Sequence, residues 1–198
     1  MEENKLKIDF CEFSKESACY IIEPSDIPNI DLYMDQVTTY LNDKFANTKR
    51  HEDDKLMTKT MINNYVKSRL LPSPEKKKYT KDHMMVLIMI YFFKNILSIN
   101  DVNKLITPLL DSYFHNEEIP LENIINTFLT FAKQCNLTDT ILTEYNECRE
   151  IFKDANVKDK EYLETMGLIT MLSYDTFVRK IVIEKLIDSL PDTENTEK

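Results

Sequence analysis

Residues 57–74 have the sequence MTKTMINNYVKSRLLPSP, and this stretch decides the fold that we predict. At about 100° per residue, a helix through it has two distinct faces. The polar face consists of Lys59, Thr60, Asn63, Asn64, Lys67 and Ser68. The apolar face consists of Met61, Ile62, Tyr65 and Val66. Because Thr58 is a favourable N-cap residue and the prolines stop helices, we predict an amphipathic helix from Thr58 to about Ser68.

A short basic tip follows this helix. Leu70 and Leu71 are expected to anchor a turn, and the two prolines of the segment Pro72-Ser73-Pro74 stiffen it. Residues 75–79 then have the sequence EKKKY, which places Lys76, Lys77 and Lys78 together on a loop. We expect Tyr79 to pack inward and close the tip.

The charge of this region is opposite to that of the protein. Eight of the 25 Lys and Arg residues lie between Lys55 and Lys81, together with one acid, Glu75. The segment therefore has a net charge of +7, the protein has −9, and the rest of the chain sums to −16. A basic surface on so acidic a chain is suited to an anionic partner, and the acidic remainder repels polyanions elsewhere.

The rest of the chain is predicted to be helical. Leu, Ile, Lys and Glu are the commonest residues, which favours helices, and the one glycine, Gly167, argues against a Gly-rich phosphate-binding loop. We predict an N-cap at Asp31 and a break in the last helix near Gly167 or Asp175. The predicted helices span residues 32–44, 80–97, 98–114, 120–135, 138–152 and 159–189, with residues 47–54 as a surface loop.

The predicted domain organisation follows from the distribution of charges and prolines along the chain. Residues 1–30 form an N-terminal extension, in which Lys5–Phe10 and Ala18–Ile22 are candidate short strands. We predict that residues 31–115 form a DNA-binding head, residues 116–190 a helical region for dimerisation or sensing, and residues 191–198 an acidic tail.

The sequence lacks the residues that several functional classes require. The cysteines (Cys11, Cys19, Cys135, Cys148) match no zinc-ligand spacing, so we expect free thiols, no metal and no cofactor. No nucleophile–base pair is recognisable, so we do not expect an enzyme. The longest apolar run, residues 84–93, is a core helix, because a bilayer span needs roughly 20 residues. We expect a cytoplasmic protein without a membrane partner, in which His83 packs beside the basic tip.

A family resemblance adds to these inferences. Residues 57–74, followed by KKKYTKDH (76–83) and LSINDV (97–102), resemble the head of a MerR-type regulator. With IDLYMDQV (30–37), the same region is similar to a bacterial family catalogued as domain of unknown function 1836. The resemblance implies a mainly α fold, with a MerR-like winged helix-turn-helix head and a C-terminal helical bundle. The long loop at 47–54 and the short wing depart from the MerR pattern.

These observations predict a DNA-binding transcriptional regulator. Cations hold phosphates, whereas amides and hydroxyls contact base edges, and asparagine suits adenine. The candidate DNA-binding residues are Lys59, Thr60, Asn63, Asn64, Lys67, Arg69, Lys76, Lys77 and Lys78. We expect double-stranded DNA as the partner, with the bundle forming a homodimer or sensing an effector. The alternative is a helical interaction module that binds an acidic protein through the same basic surface.

Overall fold

A computed structural model describes residues 21–134 and 137–191. Two short strands, two short 3-10 helices (Pro24–Asp26 and Ala46–Thr48) and a series of α-helices make up the regular structure of these residues. The strands are β1 (Leu32–Tyr33) and β2 (Lys78–Tyr79). The helices are α1 (Met34–Lys44), α2 (Lys59–Lys67), α3 (Lys81–Lys94), α4 (Ile99–Tyr113), α5 (Leu121–Gln134), α6 (Leu137–Ile151) and α7 (Val157–Asp188). The described residues are therefore mainly helical, as predicted.

The chain forms two compact units. The described part of the first comprises residues 21–132 and 184–191, and that of the second comprises residues 133–134 and 137–183. The predicted strand Lys5–Phe10, most of Ala18–Ile22 and the tail beyond Pro191 lie outside the described residues.

Helix α3 is the centre of the first unit. Its sequence is apolar nearly all round, which is typical of a buried helix, and Val86, Leu87 and Ile90 are fully buried. Phe45, just after α1, stacks on Tyr91 of α3 with ring centroids 3.7 Å apart. The prediction of a core helix is confirmed, although the helix ends at Lys94 rather than near residue 97.

The two strands join the beginning of α1 to the basic segment. They are antiparallel, with Leu32 opposite Tyr79 and Tyr33 opposite Lys78. Leu32 and Tyr79 are buried, whereas Tyr33 is exposed, so each strand alternates between core and solvent. The inward packing predicted for Tyr79 is confirmed.

This pairing corrects the predicted start of α1. The N-cap residue is Tyr33 and not Asp31, and α1 begins at Met34. The backbone N–H of Tyr33 donates to Oε1 of Gln36 over 2.9 Å. Because Leu32 and Tyr33 are extended in the sheet, they cannot join the first turn of the helix.

Ser98 caps the beginning of α4 with its side chain. The backbone N–H of Asp101 donates to Oγ of Ser98 over 3.2 Å, and the Ser98 hydroxyl donates to the Asp101 carboxylate over 2.6 Å. Helix α4 contains Pro108 and continues to Tyr113.

The second unit contains α6 and most of α7. The predicted break near Gly167 or Asp175 is wrong, because α7 is continuous from Val157 to Asp188. A Cβ atom at Gly167 would lie 2.9 Å from the ring of Phe152. The glycine therefore permits close packing of that ring instead of ending the helix. Cys148 is a buried free thiol, as predicted, and its Sγ lies 3.2 Å from Sδ of Met171.

Candidate nucleic-acid interface

Helix α2 has the two faces that its sequence predicts. Ile62 is fully buried and Tyr65 is 8% exposed, so the apolar face packs into the first unit. All five predicted contact residues of the helix are exposed to solvent; they are Lys59, Thr60, Asn63, Asn64 and Lys67. This polar face therefore presents cations, amides and a hydroxyl side by side on a helix with a fixed inner face.

The beginning of α2 is fixed by its cap and by one ion pair. The hydroxyl of Thr58 accepts a hydrogen bond from the N–H of Met61 over 3.1 Å, which confirms the predicted cap. Lys59, the first residue of the helix, forms an ion pair with Asp35 of α1. The two side chains are 58% and 76% exposed, so this pair lies in solvent.

The end of α2 places a cation in an unusual backbone conformation. The N–H of Leu70 donates to the carbonyl of Tyr65 over 2.9 Å, and the N–H of Arg69 donates to that of Val66 over 3.1 Å. These two bonds form a Schellman motif, whose C′ residue is left-handed and is usually glycine. Arg69 occupies that position with φ 61°, and its side chain is exposed.

The three lysines form the turn of a β-hairpin, which we call the lysine turn (Glu75–Lys78). The N–H of Lys78 donates to the carbonyl of Glu75 over 2.8 Å, and these two residues form an antiparallel bridge. Lys76 and Lys77 have φ 49° and 63°. Two successive left-handed residues define a type I′ turn, which favours Asn-Gly. Lys76 and Lys77 are exposed, and Lys78 is half-buried.

Left-handed backbone is concentrated in this basic region. Four non-glycine residues of the described part of the chain have φ between +20° and +160°. Three of them are predicted DNA-binding cations, namely Arg69, Lys76 and Lys77, and the fourth is His115. Such conformations cost L-residues roughly 1–2 kcal/mol each. Observed backbone strain of this kind is enriched at functional sites.

Tyr33 belongs to this surface, although the sequence-based prediction omitted it. Tyr33 is 54% exposed, and the Lys78 ammonium lies 5.8 Å from the centroid of its ring. Its backbone is held by the pairing with Lys78 and by the bond to Gln36. The alternation of buried Leu32 and exposed Tyr33 is the signal that could have identified it. Residues 33–35 thus connect the lysine turn to the beginning of α2.

His83 packs beneath the lysine turn, as predicted. It is 2% exposed, its ring makes an edge contact with Tyr79 at 5.6 Å, and its Nδ1 accepts a hydrogen bond from the N–H of Thr80 over 3.1 Å. Burial, with a smaller contribution from the charge of His115, lowers the pKa of His83 from 6.5 to about 4. The imidazole is therefore neutral at pH 7 and contributes no charge to the surface.

Other candidate sites have simpler explanations. Met84 and Met85 are fully buried, so they are core residues, as predicted. Among residues 21–134 and 137–191, no group of three or more His, Cys, Asp or Glu side chains could hold a metal ion. Within the same residues, no helix combines the length and the apolar composition of a membrane span.

Comparisons with known proteins identify one family. A family model described as "Domain of unknown function (DUF1836)" matches residues 22–131, which is more than half of the chain. No curated protein and no solved structure matches the chain.

Proposed function

The chain belongs to the DUF1836 family, and we propose that it is a DNA-binding transcriptional regulator with a MerR-like winged helix-turn-helix head. In this proposal, α2 is the recognition helix and the lysine turn is the wing. Helices α1 and α2 with the intervening loop form the helix-turn-helix. The C-terminal helices form a homodimer or sense an effector.

One observation carries the proposal most directly. Arg69, Lys76 and Lys77 are exposed cations at backbone positions where glycine or asparagine would be more stable. Each of these three positions has a cation despite the backbone strain, which implies that the charge has a function. Phosphate binding is such a use, since cations that neutralise phosphates release counterions and supply affinity.

The polar face of α2 supplies the sequence-dependent contacts. Asn63 and Asn64 could each bond to the N6 and N7 edge of an adenine in the major groove, which typically contributes about 1–3 kcal/mol of discrimination. Lys59 and Lys67 flank them on the same face and suit the phosphates on either side of the groove. Because Ile62 and Tyr65 are buried, this face is held against rotation.

The wing would contact the backbone or the minor groove beside the recognition helix. Its strand β2 pairs with β1, and Lys78 lies next to the exposed ring of Tyr33. Six exposed or half-buried cations then face the duplex: Lys59, Lys67, Arg69, Lys76, Lys77 and Lys78. If all of them meet phosphates, the log–log slope of affinity against salt is about −5.

Selection from a random duplex pool tests the proposal. The full chain is incubated with the pool in moderate salt, and bound fragments are enriched over several rounds. A regulator enriches one motif, and a labelled duplex with that motif then resists competition by unrelated duplex in an anisotropy titration. Absence of any enriched motif contradicts the proposal. A motif with two inverted half-sites about 34–36 Å apart would support a homodimer.

The acidic-protein alternative gives a different result in the same titration. Both interactions weaken with salt, so salt dependence does not separate them. A module for an acidic protein partner binds duplexes without sequence preference, and unrelated duplex displaces the labelled fragment with equal efficiency.

A further inference from the structure

We propose that Asp35 is a specificity-determining residue of the DNA-binding surface: it accepts a hydrogen bond from a cytosine amino group in the cognate sequence and repels phosphates elsewhere. This inference rests on the proposed function. Asp35 is not among the DNA-binding residues predicted from the sequence. It is an anion, whereas those residues are cations or neutral.

The position of Asp35 places it among the candidate DNA-contacting residues. It is the second residue of α1, and its carboxylate pairs with the ammonium of Lys59 at the beginning of α2. It lies two residues after Tyr33, whose ring borders Lys78. With 76% of its side chain exposed, Asp35 is accessible to any duplex that approaches Lys59.

An acid at position 35 is favourable for α1, because Asp35 lies in the first turn of that helix. This preference does not require the carboxylate to pair with Lys59. An ion pair between two exposed side chains contributes little to stability, because solvent screens the charges and both side chains lose freedom. Asp35 does partly offset the unfavourable position of Lys59, a cation at the positive end of the α2 dipole. Replacing Lys59 by a neutral residue would serve that purpose equally well. The proposed use concerns the pairing of the two exposed charges with each other.

DNA binding would break the ion pair between Lys59 and Asp35 and give each side chain a new partner. When Lys59 moves to a phosphate, the carboxylate of Asp35 loses its partner beside the groove. Carboxylates in the major groove accept hydrogen bonds from the N4 amino group of cytosine. On a sequence that lacks a donor at this position, the carboxylate instead lies unpaired near phosphates, and like-charge contact disfavours that complex. The same side chain thus favours one sequence and disfavours others.

Two variants test the role of Asp35, with the motif selected by the wild-type protein and an unrelated duplex as probes. Asp35→Asn should bind unrelated duplex more tightly, but its amide oxygen still accepts from a cytosine amino group, so it should lose less affinity for the selected motif. Asp35→Ala removes the acceptor and is expected to bind unrelated duplex several-fold more tightly and the selected motif more weakly. The ratio of the two affinities should fall by about 10-fold, the discrimination of one base contact. Repeating the selection with Asp35→Ala should abolish a cytosine preference at one position.

Asp111→Ala is the matched control, because Asp111 is an exposed aspartate of α4 and lies outside the proposed DNA-binding surface. It should raise both affinities by a similar factor and leave the ratio unchanged. If Asp35→Ala also leaves the ratio and the selected motif unchanged, the inference is overturned while the proposed function stands. If the wild-type protein selects no motif, the proposed function itself fails, and the inference fails with it.

Discussion

The N–H of Leu70 bonds to the carbonyl of Tyr65 over 2.9 Å, and this bond closes α2 around a left-handed Arg69. Leu70 and Leu71 are both 1% exposed, so the turn is anchored in the core while the Arg69 side chain is in solvent. The backbone geometry of the turn is thereby fixed independently of the side chain at position 69. This separation allows the charge and the strain at Arg69 to be tested individually.

Arg69→Gly should stabilise the protein and weaken its binding to duplex. Glycine adopts φ 61° without the Cβ penalty, so we expect a gain of about 1 kcal/mol, or a rise in Tm of about 2–4 °C. Loss of one cation should make the salt slope shallower by about 0.9. Thermal melting and anisotropy titrations measure the two effects. Arg69→Ala retains the strain and should weaken binding without raising Tm; equal Tm values for the Gly and Ala variants would contradict the strain argument.

The double variant Lys76→Asn/Lys77→Gly gives the lysine turn the residues that a type I′ turn favours. We expect it to be more stable than the wild type by roughly 1–2 kcal/mol, because both left-handed positions become favourable. Its affinity for duplex should fall, and its salt slope should become shallower by about 2. Chemical denaturation and titration at several salt concentrations measure these changes. Unchanged affinity would mean that the turn does not touch DNA.

Charge reversal of the lysine turn should abolish binding while the fold survives. In Lys76→Glu/Lys77→Glu/Lys78→Glu, three phosphate contacts become repulsive, so we expect the affinity to fall by at least about 100-fold. Circular dichroism should show an unchanged helical content. Lys153→Glu reverses an exposed lysine of the second unit and serves as the control. Equal effects of the triple variant and the control would assign the loss to net charge alone.

Tyr33→Ala should weaken binding without changing the salt slope. Tyr33 is uncharged, so its contact with a sugar or a base releases no counterion. Its backbone is held by the bond to Gln36, and its ring lies beside the Lys78 ammonium. We expect a loss of about 5- to 10-fold, comparable to the stacking of one base. Tyr33→Phe retains the ring and should lose less. A shallower slope for Tyr33→Ala would indicate that the residue acts by positioning Lys78.

Acidification should destabilise the first unit through His83. Its pKa is lowered from 6.5 to about 4 in the fold, so the unfolded chain binds the additional proton between these values. The stability is therefore complete above pH 6.5 and is lost as the pH falls towards 4, by roughly 2 kcal/mol between pH 7 and pH 4.5. Urea denaturation of the wild type and His83→Gln at these two pH values isolates this contribution. Parallel pH dependence in both proteins would contradict it.

The sequence predicted those parts of the surface whose signals are local. Thr58, Ile62 and Tyr65 follow from capping preference and helical period, and the structure confirms them. The N-cap at Asp31 was wrong because Leu32 and Tyr33 pair with a strand 46 residues away, which no local pattern indicates. The ion pair between Asp35 and Lys59 escaped prediction for the same reason.

Two further features were not predictable from residue type. Lys76 and Lys77 form a type I′ turn without the Asn-Gly signal, so their sequence indicates only a basic loop. Gly167 suggested a helix break, whereas its role is to admit the ring of Phe152. In both cases a distant contact or a function determines which residue is present, and the local conformational preference of that residue does not.

The left-handed cations also have a consequence for laboratory evolution. Replacing the residues at positions 69, 76 and 77 by glycine or asparagine is among the simplest ways to raise the thermal stability of the protein. A screen that rewards heat tolerance or expression yield alone would therefore accumulate these replacements early. If these cations bind duplex as proposed, each stabilised clone would have lost part of its affinity for DNA. Such a screen would then need a measurement of duplex binding in every round.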